Sequence, residues 1–428
     1  MTLKSLQQVL AISGLLYLTG CATTGPTGTA VWVTGKPKKV VTGIELLKQQ
    51  NFAVLEGKRV GLVTNATGVD WQLRSTVDLL FEAPNVNLVA LYGPEHGVRG
   101  AQTAGEYVDF YIDERTKLPV YSLYGKTRKP TPAMLADIDV LVYDIQGIGC
   151  RSYTFISTLG VCMEACAENQ RELVILDRPN PLGGNRIEGN LAEDGFFSFV
   201  SQYPVPYVYG LTVGEFARML NGEMMLQNGV QCDLTVVPMQ HWKRSMTYED
   251  TGLEWVPTSP HVPHKYSPLY YVSSGVLGEL GVISEGVGYT APFQLIGAEW
   301  VDGDRLAVEL NALNLPGVIF RPVIFKPYYG RDQGNYLGGV QVHIIDPARV
   351  NLLALQFHYL EALIKLYPDH NPFKLAQEGR LRMFDKVTGS DKVRELFSKN
   401  FRFSDVEDYL NKDVKTFTGR AKKYYLYN

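Results

Sequence analysis

Short apolar runs alternate with polar clusters along the first half of the chain. Four of these runs, rich in β-branched and aromatic residues, occupy residues 60–63, 86–92, 140–143 and 173–176. Helix-like stretches separate most of them, and this alternation predicts a parallel sheet connected by crossover helices. The fold class predicted from the pattern is therefore α/β.

Each predicted strand ends in polar or turn-forming residues. The four clusters are Val63-Thr64-Asn65, Gly93-Pro94-Glu95-His96-Gly97, Asp144-Ile145-Gln146 and Asp177-Arg178-Pro179-Asn180. In an open α/β sheet, ligands bind in the crevice beyond the carboxyl ends of the strands. We therefore expect the polar side chains of these clusters to line one pocket, which is the layout of an active site.

Glu95 and His96 are the strongest candidates for chemistry. A carboxyl group on the Gly-Pro-Glu-His-Gly turn is held with little crowding, and partial burial beside the sheet would raise its pKa toward that of a general acid. His96 could tune that proton, orient the carboxyl group or bind substrate. Alternatively, Glu95 is a turn residue that bonds nearby backbone amides. The convergence of four strand ends favours a functional role.

Glycoside hydrolysis is one reaction that needs such an acid. It usually requires a second carboxylate as base or nucleophile, and the distance between the two carboxyl groups decides between inversion and retention. The carboxylates available for the second role are Asp144, Asp177, Glu188 and Glu285.

The second half of the chain predicts further helices and strands. Helices are expected at residues 213–227, 305–313 and 350–366, strands at 232–237, 317–325 and 338–345, and loops at 242–252 and 255–289. Three tyrosines, Tyr328, Tyr329 and Tyr336, fall between the last two strands. They could close over a sugar, although a packed hairpin is the favoured interpretation. We place a domain boundary near residues 240–250.

The N-terminus predicts where the protein works. Lys4, the apolar stretch of residues 9–18 and the small residues before Cys21 are typical of a secretory signal peptide, and the stretch is too short to span a bilayer. Small residues immediately before a cysteine resemble the bacterial lipobox, in which that cysteine is lipidated. The alternative is an ordinary signal peptide with a chance cysteine. We expect a cell-envelope lipoprotein of the periplasm or outer membrane, anchored only through Cys21.

Composition and motifs narrow the function further. The 428 residues are 45% hydrophobic and 20% charged, with a net charge of −3, so the chain can bury a large core and gives no reason to expect a nucleic-acid partner. The first predicted strand runs into Thr64-Asn65-Ala66-Thr67-Gly68 instead of a nucleotide-binding loop, so we expect no cofactor. The later cysteines lack zinc-site spacing, and no metal is expected. The alternative of a disulfide between Cys150 and one of the other later cysteines stays open. These cysteines are Cys150, Cys162, Cys166 and Cys232.

Several motifs, in order, resemble the NamZ-type exo-β-N-acetylmuramidases. They include Gly93-Pro-Glu-His-Gly-Val-Arg-Gly100, Asp144-Ile-Gln-Gly-Ile-Gly-Cys-Arg-Ser-Tyr-Thr154, Leu176-Asp-Arg-Pro-Asn-Pro-Leu-Gly-Gly184, Tyr209-Gly-Leu-Thr-Val-Gly-Glu215 and Trp255-Val-Pro-Thr-Ser-Pro260. The resemblance extends from about residue 43 to the C-terminus. It implies a Rossmann-like parallel sheet domain, a smaller α/β C-terminal domain and a cleft between them. It also implies removal of N-acetylmuramic acid from the non-reducing end of peptidoglycan fragments, with Glu95 as the catalytic position and His96 beside it.

This resemblance completes the predicted organisation of the chain. The segments are a signal peptide at residues 1–20, a lipidated N-terminus and flexible tether at 21–39, a Rossmann-like catalytic domain at 40–245, and a C-terminal α/β domain that completes the cleft at 246–428. The side chains expected to bind the sugar substrate are Asn65, Asp144, Gln146, Arg151, Tyr153, Asp177, Arg178, Asn180, His264 and Glu285.

Two departures from the family pattern concern the substrate. Gly147 stands where an aspartate is common, and Val287 stands where an arginine is expected. The lactyl carboxylate of N-acetylmuramic acid suits an arginine partner, so we expect Arg151 or Arg178 to bind it. Each could instead form a structural ion pair with Asp144 or Asp177. His261 and His264 could partly replace the missing groups, or could simply be loop histidines.

Two classes of function stay open. The first is a lipid-anchored exo-glycosidase that acts on muramyl fragments, or on a shifted amino-sugar substrate. The second is a non-catalytic lipoprotein that binds peptidoglycan fragments.

Overall fold

The computed structural model describes residues 39–95, 97–100 and 110–428. These residues belong to one compact unit. The predicted signal peptide, Cys21 and nearly all of the tether lie outside the described residues, and so does His96. None of the described helices combines the length and the apolar character needed to cross a membrane.

A seven-stranded sheet forms the first part of the molecule. Its strand order is β3-β4-β2-β1-β5-β6-β7, and every neighbouring pair is parallel except β3 and β4. The strands are β1 Arg59–Thr64, β2 Asn87–Gly93, β3 Tyr111–Ile112, β4 Pro119–Ser122, β5 Val140–Asp144, β6 Glu172–Leu176 and β7 Asp233–Val237. The predicted parallel sheet is confirmed, and the short strands β3 and β4 are additions to it.

Helices cover both faces of this sheet. They are α1 Gly43–Gln49, α2 Thr76–Glu82, α3 Phe155–Glu168 and α4 Val213–Gly222. Buried residues of α1 and α2 pack in one apolar cluster and those of α3 and α4 in another, so the sheet is buried on both sides. Helix α4 begins at a capping box, in which Thr212 and Glu215 satisfy each other's backbone amides. The four described cysteines are buried free thiols.

The second part of the molecule combines a three-stranded antiparallel sheet with helices. The sheet order is β8-β10-β9. Its strands are β8 Leu295–Ala298, β9 Val318–Phe325 and β10 Leu337–Ile344. The helices are α5 Ser267–Glu279, α6 Gly303–Ala312, α7 Leu352–Leu366, α8 Pro372–Leu375, α9 Glu378–Thr388, α10 Asp391–Phe397, α11 Glu407–Asn411 and α12 Val414–Ala421. The predicted α/β class with a smaller C-terminal domain is confirmed, and the proposed boundary at residues 245 and 246 falls between the two sheets.

Helix α5 corrects the prediction of an uninterrupted loop at residues 255–289. Its serines, glycines and valines are weak helix formers. Tertiary packing overrides that weakness, because Val276 and Leu277 are buried in the core that α5 shares with α7. The Gln356 amide of α7 donates to the Val272 carbonyl and accepts from the Leu277 amide, at 2.7 and 3.1 Å.

The C-terminal residues return to the first sheet. Tyr427 donates a hydrogen bond from its hydroxyl group to Asp177 Oδ2 at 2.5 Å, and the Leu426 amide donates to Glu215 Oε1 at 2.9 Å. Phe417 of α12 is buried in the apolar cluster formed by α3 and α4. The second part of the chain therefore completes the packing of the first.

Candidate active site

The carboxyl ends of the parallel strands meet at one edge of the large sheet. Register pairs Thr64 of β1 with Asp144 of β5, and Gly93 of β2 with Ser122 of β4. The predicted convergence of strand ends is therefore present. It is extended by β4, whose end the sequence pattern did not single out.

Glu95 lies on a tight turn that directly follows β2. The Gly97 amide closes the turn on the Pro94 carbonyl at 3.0 Å, and Gly97 has a φ of 71°, which glycine adopts without strain. The Glu95 side chain is half-buried. Its negative charge acts on Tyr124, which follows β4. Burial raises the pKa of the Tyr124 phenol, and the Glu95 carboxylate raises it further.

Tyr153 lies on another side of Glu95. Burial raises the pKa of Tyr153 well above its usual value, and the negative charge of Glu95 adds to this shift. The Tyr153 hydroxyl group donates to Thr258 Oγ1 at 2.7 Å and also contacts Ser259. Tyr153, predicted from the sequence as a substrate-binding residue, therefore connects Glu95 with the loop that precedes α5.

Arg128 places a positive charge at the same end of the sheet. Its charge lowers the pKa of Tyr124, and its guanidinium group lies 4.4 Å from the centroid of the Phe199 ring. Arg128 is exposed, and no carboxylate within the described ranges forms an ion pair with it. Sequence analysis missed both Tyr124 and Arg128. In the sequence, the feature that could have indicated these two residues is their position after the short apolar run of β4.

Asp144 and Arg178 form a buried ion pair between the ends of β5 and β6. Arg178 donates from Nε to Asp144 Oδ1 at 2.5 Å and from Nη2 to Oδ2 at 2.8 Å, and Thr76 donates a third hydrogen bond to the carboxylate. Arg178 also donates to the Val69 carbonyl at 3.0 Å. This arrangement favours the alternative of a structural ion pair between these two residues over substrate binding.

Asp177 faces away from this pair. Its carboxylate accepts hydrogen bonds from the Gly214 amide, from Thr212 and from Tyr427, at 2.8, 2.8 and 2.5 Å. Burial raises the pKa of Asp177 to about 6, although these hydrogen bonds oppose the shift. Asp177 thus stabilises the start of α4, which favours a structural role for this carboxylate.

Arg151 is fully buried and has no access to a substrate. Its guanidinium group donates to one side chain and four backbone carbonyls, at 2.6 to 3.1 Å. These acceptors are Ser201 Oγ and the carbonyls of Asn190, Val205, Val387 and Thr388. Its burial favours a structural role for Arg151 over contact with the substrate carboxylate.

Three amide side chains that the sequence predicts to bind substrate form hydrogen bonds within and between the strand-end loops. Asn65 Oδ1 accepts from the Thr67 amide and hydroxyl group at 2.9 and 2.6 Å. Gln146 Nε2 donates to the carbonyls of Gly147 and Pro179 at 2.8 and 2.7 Å. Asn180 donates to the Leu211 carbonyl and accepts from the Leu182 amide, both at 3.0 Å. These side chains fix the shape of the edge.

The cavities at the ends of β5 and β6 are small. Two cavities beside Gln146, Arg178 and Asn180 each hold about 20 Å³, which is space for roughly one water molecule. Glu95 lies elsewhere along this edge, directly after β2. The space around Gly147 is open, because a β-carbon added there would meet no atom within 4 Å, whereas one added at Gly149 would meet Asn180.

The remaining predicted site residues lie farther along the chain. Glu188 pairs with Arg186 and accepts from the Leu353 amide, and Glu285 pairs with Arg331 at 3.3 Å. Burial raises the pKa of Glu285, while the Arg331 charge lowers it. His264 is exposed, and its backbone amide donates to Ser267. All four candidate second carboxylates are thus held by donors within the protein. The described part of the chain contains no cluster of side chains suited to a metal ion.

Known protein families match this chain along most of the residues that the structure describes. Residues 60–266 match the family model described as exo-β-N-acetylmuramidase NamZ, N-terminal, and residues 269–427 match the corresponding C-terminal model. The peptidoglycan β-N-acetylmuramidase NamZ of Bacillus subtilis (strain 168) is 43% identical over 394 residues, which are 92% of this chain and 93% of that protein.

Solved structures give the same result. A DUF1343 family protein from Bacteroides fragilis NCTC 9343 superimposes with a TM-score of 0.87 at 59% identity, covering 91% of this chain and 99% of its own. A second DUF1343 family protein from the same organism has a TM-score of 0.73 at 29% identity, with the same coverage of both chains.

The buried ion pair at the strand ends predicts a stability effect. Replacing Arg178 by Met leaves the Asp144 carboxylate buried without its cation, and breaking such a pair costs about 3–5 kcal/mol. We expect the free energy of unfolding in urea at pH 7 to fall by this amount. The control is Arg382→Ala, which breaks an exposed ion pair with Glu378 and should cost less than about 1 kcal/mol. Equal unfolding midpoints for Arg178→Met and the parent would contradict the structural role.

Proposed function

The chain belongs to the NamZ family of exo-β-N-acetylmuramidases, and we propose that it is a glycoside hydrolase that releases N-acetylmuramic acid from the non-reducing ends of peptidoglycan fragments. Membership is carried by two consecutive family matches and by 43% identity over 92% of the chain. The observation that supports the site is the position of Glu95, half-buried on the turn after β2 and near Tyr124 and Tyr153, whose pKa values its charge raises.

Glu95 is the proposed general acid. The turn after β2 fixes its backbone, and Tyr124 is near enough for the Glu95 charge to raise the pKa of the Tyr124 phenol. In this position Glu95 donates its proton to the glycosidic oxygen as the bond to the leaving group breaks. Water supplies the hydroxyl group that the anomeric carbon then carries, and the proton that this water loses restores the acid. His96 is the proposed assistant of this proton transfer and lies outside the described residues.

The second candidate function differs in the sugar accepted. Arg151 and Arg178 donate their hydrogen bonds to acceptors inside the protein, and Val287 is apolar. These three positions therefore offer no cation to a lactyl carboxylate. An amino sugar without that carboxylate, such as an N-acetylglucosaminide, would fit a site that lacks an arginine. Arg128 favours the muramic substrate, because its charge acts on Tyr124 beside Glu95.

We propose that the protein is anchored in the cell envelope through a lipid on Cys21. Support comes from the sequence: a basic residue, an apolar stretch at residues 9–18 and Leu18-Thr19-Gly20 before the cysteine. Such an anchor would place the enzyme where peptidoglycan fragments are generated. Cys21 is outside the described residues.

Glu95→Gln tests the assignment of the acid. The amide cannot donate a proton of suitable acidity, and general acid catalysis typically contributes about 10²- to 10⁴-fold. We expect kcat on a muramide with a poor leaving group to fall by that factor while the thermal unfolding temperature is retained. Glu114→Gln, an exposed carboxylate on the hairpin between β3 and β4, is the matched control. Near-parental turnover by Glu95→Gln would make Glu95 a structural turn residue.

A pair of chromogenic substrates tests the sugar and the role of Arg128. We expect the parent to prefer an aryl N-acetylmuramide over the matching N-acetylglucosaminide, and Arg128→Ala to reduce that preference about 10- to 150-fold, which corresponds to one charge-assisted contact of roughly 1.5–3 kcal/mol. Lys129→Ala is the control, because Lys129 pairs with carboxylates of α3. A parent that prefers the glucosaminide would support the second candidate function.

Cys21→Ala tests the anchor. Without the thiol no lipid can be attached, so we expect the protein to move from the membrane fraction to the soluble fraction after cell lysis. Thr24→Ala, three residues farther along the tether, should leave the distribution unchanged. A Cys21→Ala protein that still sediments with membranes is the result that rules out this anchor.

A further inference from the structure

Three tyrosines on the connection between β9 and β10 are largely exposed. Relative exposure is 63% for Tyr328, 49% for Tyr329 and 70% for Tyr336. Clustered aromatic surface of this kind usually marks a binding site, because uncovered rings otherwise cost free energy in water. The proposed mechanism at Glu95 uses none of these residues.

The connection is held firmly in place. The Tyr328 amide donates to the Gly288 carbonyl at 2.7 Å, and the Gly334 amide donates to the Pro327 carbonyl at 3.0 Å. Arg331 donates to the Ile283 carbonyl and to Glu285, at 2.5 and 3.3 Å. The predicted substrate ligand Glu285 thus anchors this loop, and the rings are presented on a fixed backbone.

The rings expose their faces. Tyr328 stacks on Tyr289 with 5.3 Å between centroids and 27° between planes, which leaves most of the Tyr328 ring uncovered. Tyr329 stacks on His261 at 6.0 Å and 20°, and its hydroxyl group lies 2.9 Å from His261 Nε2. Lys326 lies over the Tyr336 ring, 4.7 Å from its centroid.

The tyrosines are connected to the candidate active site. His261 belongs to the loop in which Thr258 accepts a hydrogen bond from the Tyr153 hydroxyl group. The charge of Glu95 raises the pKa of Tyr153. Three residues of chain from Thr258 to His261 span at most about 11 Å. These contacts connect Tyr329, through His261 and the loop that contains Thr258, with Tyr153 near the proposed acid.

We propose that Tyr328, Tyr329 and Tyr336 form a saccharide-binding platform for the leaving-group side of the substrate. This inference rests on the proposed function, because an exo-glycosidase that removes one terminal sugar must accommodate the rest of the glycan beyond its acid. The faces of pyranose rings carry C–H groups that pack on aromatic rings, and tyrosine adds a hydroxyl group for the sugar hydroxyls. Peptidoglycan glycan of two or more amino sugars is the ligand class.

The test compares substrates that differ only on the leaving-group side. The double variant Tyr328→Ala/Tyr336→Ala and the parent are assayed on an aryl N-acetylmuramide and on a muramyl tetrasaccharide. We expect the ratio of kcat/KM on the tetrasaccharide to kcat/KM on the aryl muramide to fall roughly 10-fold or more, the effect of losing two ring contacts. The variant Tyr328→Phe/Tyr336→Phe keeps the rings and should restore most of the ratio. Phe81→Ala, an exposed aromatic on α2, is the control.

Several outcomes would overturn the platform. An unchanged ratio in a folded double alanine variant, checked by thermal unfolding, would show that the rings bind no sugar. A change in oligomeric state with an unchanged ratio would assign the surface to a second copy of the chain. An equal loss on both substrates would make the tyrosines supports of the catalytic site.

Binding separates this inference from the proposed activity. If the parent hydrolyses neither substrate, the proposed function fails, and calorimetric titration of parent and double variant with the same tetrasaccharide still tests the platform. Roughly 10-fold weaker binding by the alanine variant supports it, and equal binding refutes it.

Discussion

The guanidinium group of Arg151 is the contact on which the arrangement of the two sheets depends. It is buried, and it donates both to the loops of the first sheet domain and to the carbonyls of Val387 and Thr388 at the end of α9. Burial lowers the pKa of Arg151 to about 10, so the group is still charged at neutral pH. Carbonyl dipoles replace the water that such a charge would need. Two residues later, Tyr153 is thereby fixed beside Glu95.

Much of the fold could be predicted from the chain itself. Buried parallel strands appear as short apolar runs because both faces of the sheet are covered, and the alternation with helices determines that they are parallel. The position of Glu95 followed from the same argument, since the carboxyl ends of parallel strands share one edge. Helix α5 could not be predicted, because its stability comes from burial against α7 and from the Gln356 side chain.

The direction of polar side chains was the harder problem. Arg178 and Arg151 follow strand ends, as ligands of a sugar would, yet both turn inward to partners that are 34 to 237 residues away in the sequence. Sequence spacing places a residue at an edge but does not show whether a buried acceptor competes for it. Tyr124 and Arg128 went unnoticed for a different reason: β4 has the sequence Pro-Val-Tyr-Ser, with only Val120 buried, and lacks the continuous apolar run that marks the other strands.

The return of residues 425–428 to the first sheet affects how the chain is made. Asp177, Glu215 and Arg244 obtain hydrogen-bond partners from Tyr427, Leu426 and Asn428. During vectorial synthesis these partners emerge only after the second sheet and its helices. The earlier half therefore lacks these three hydrogen bonds until the last residues of the chain have been synthesised.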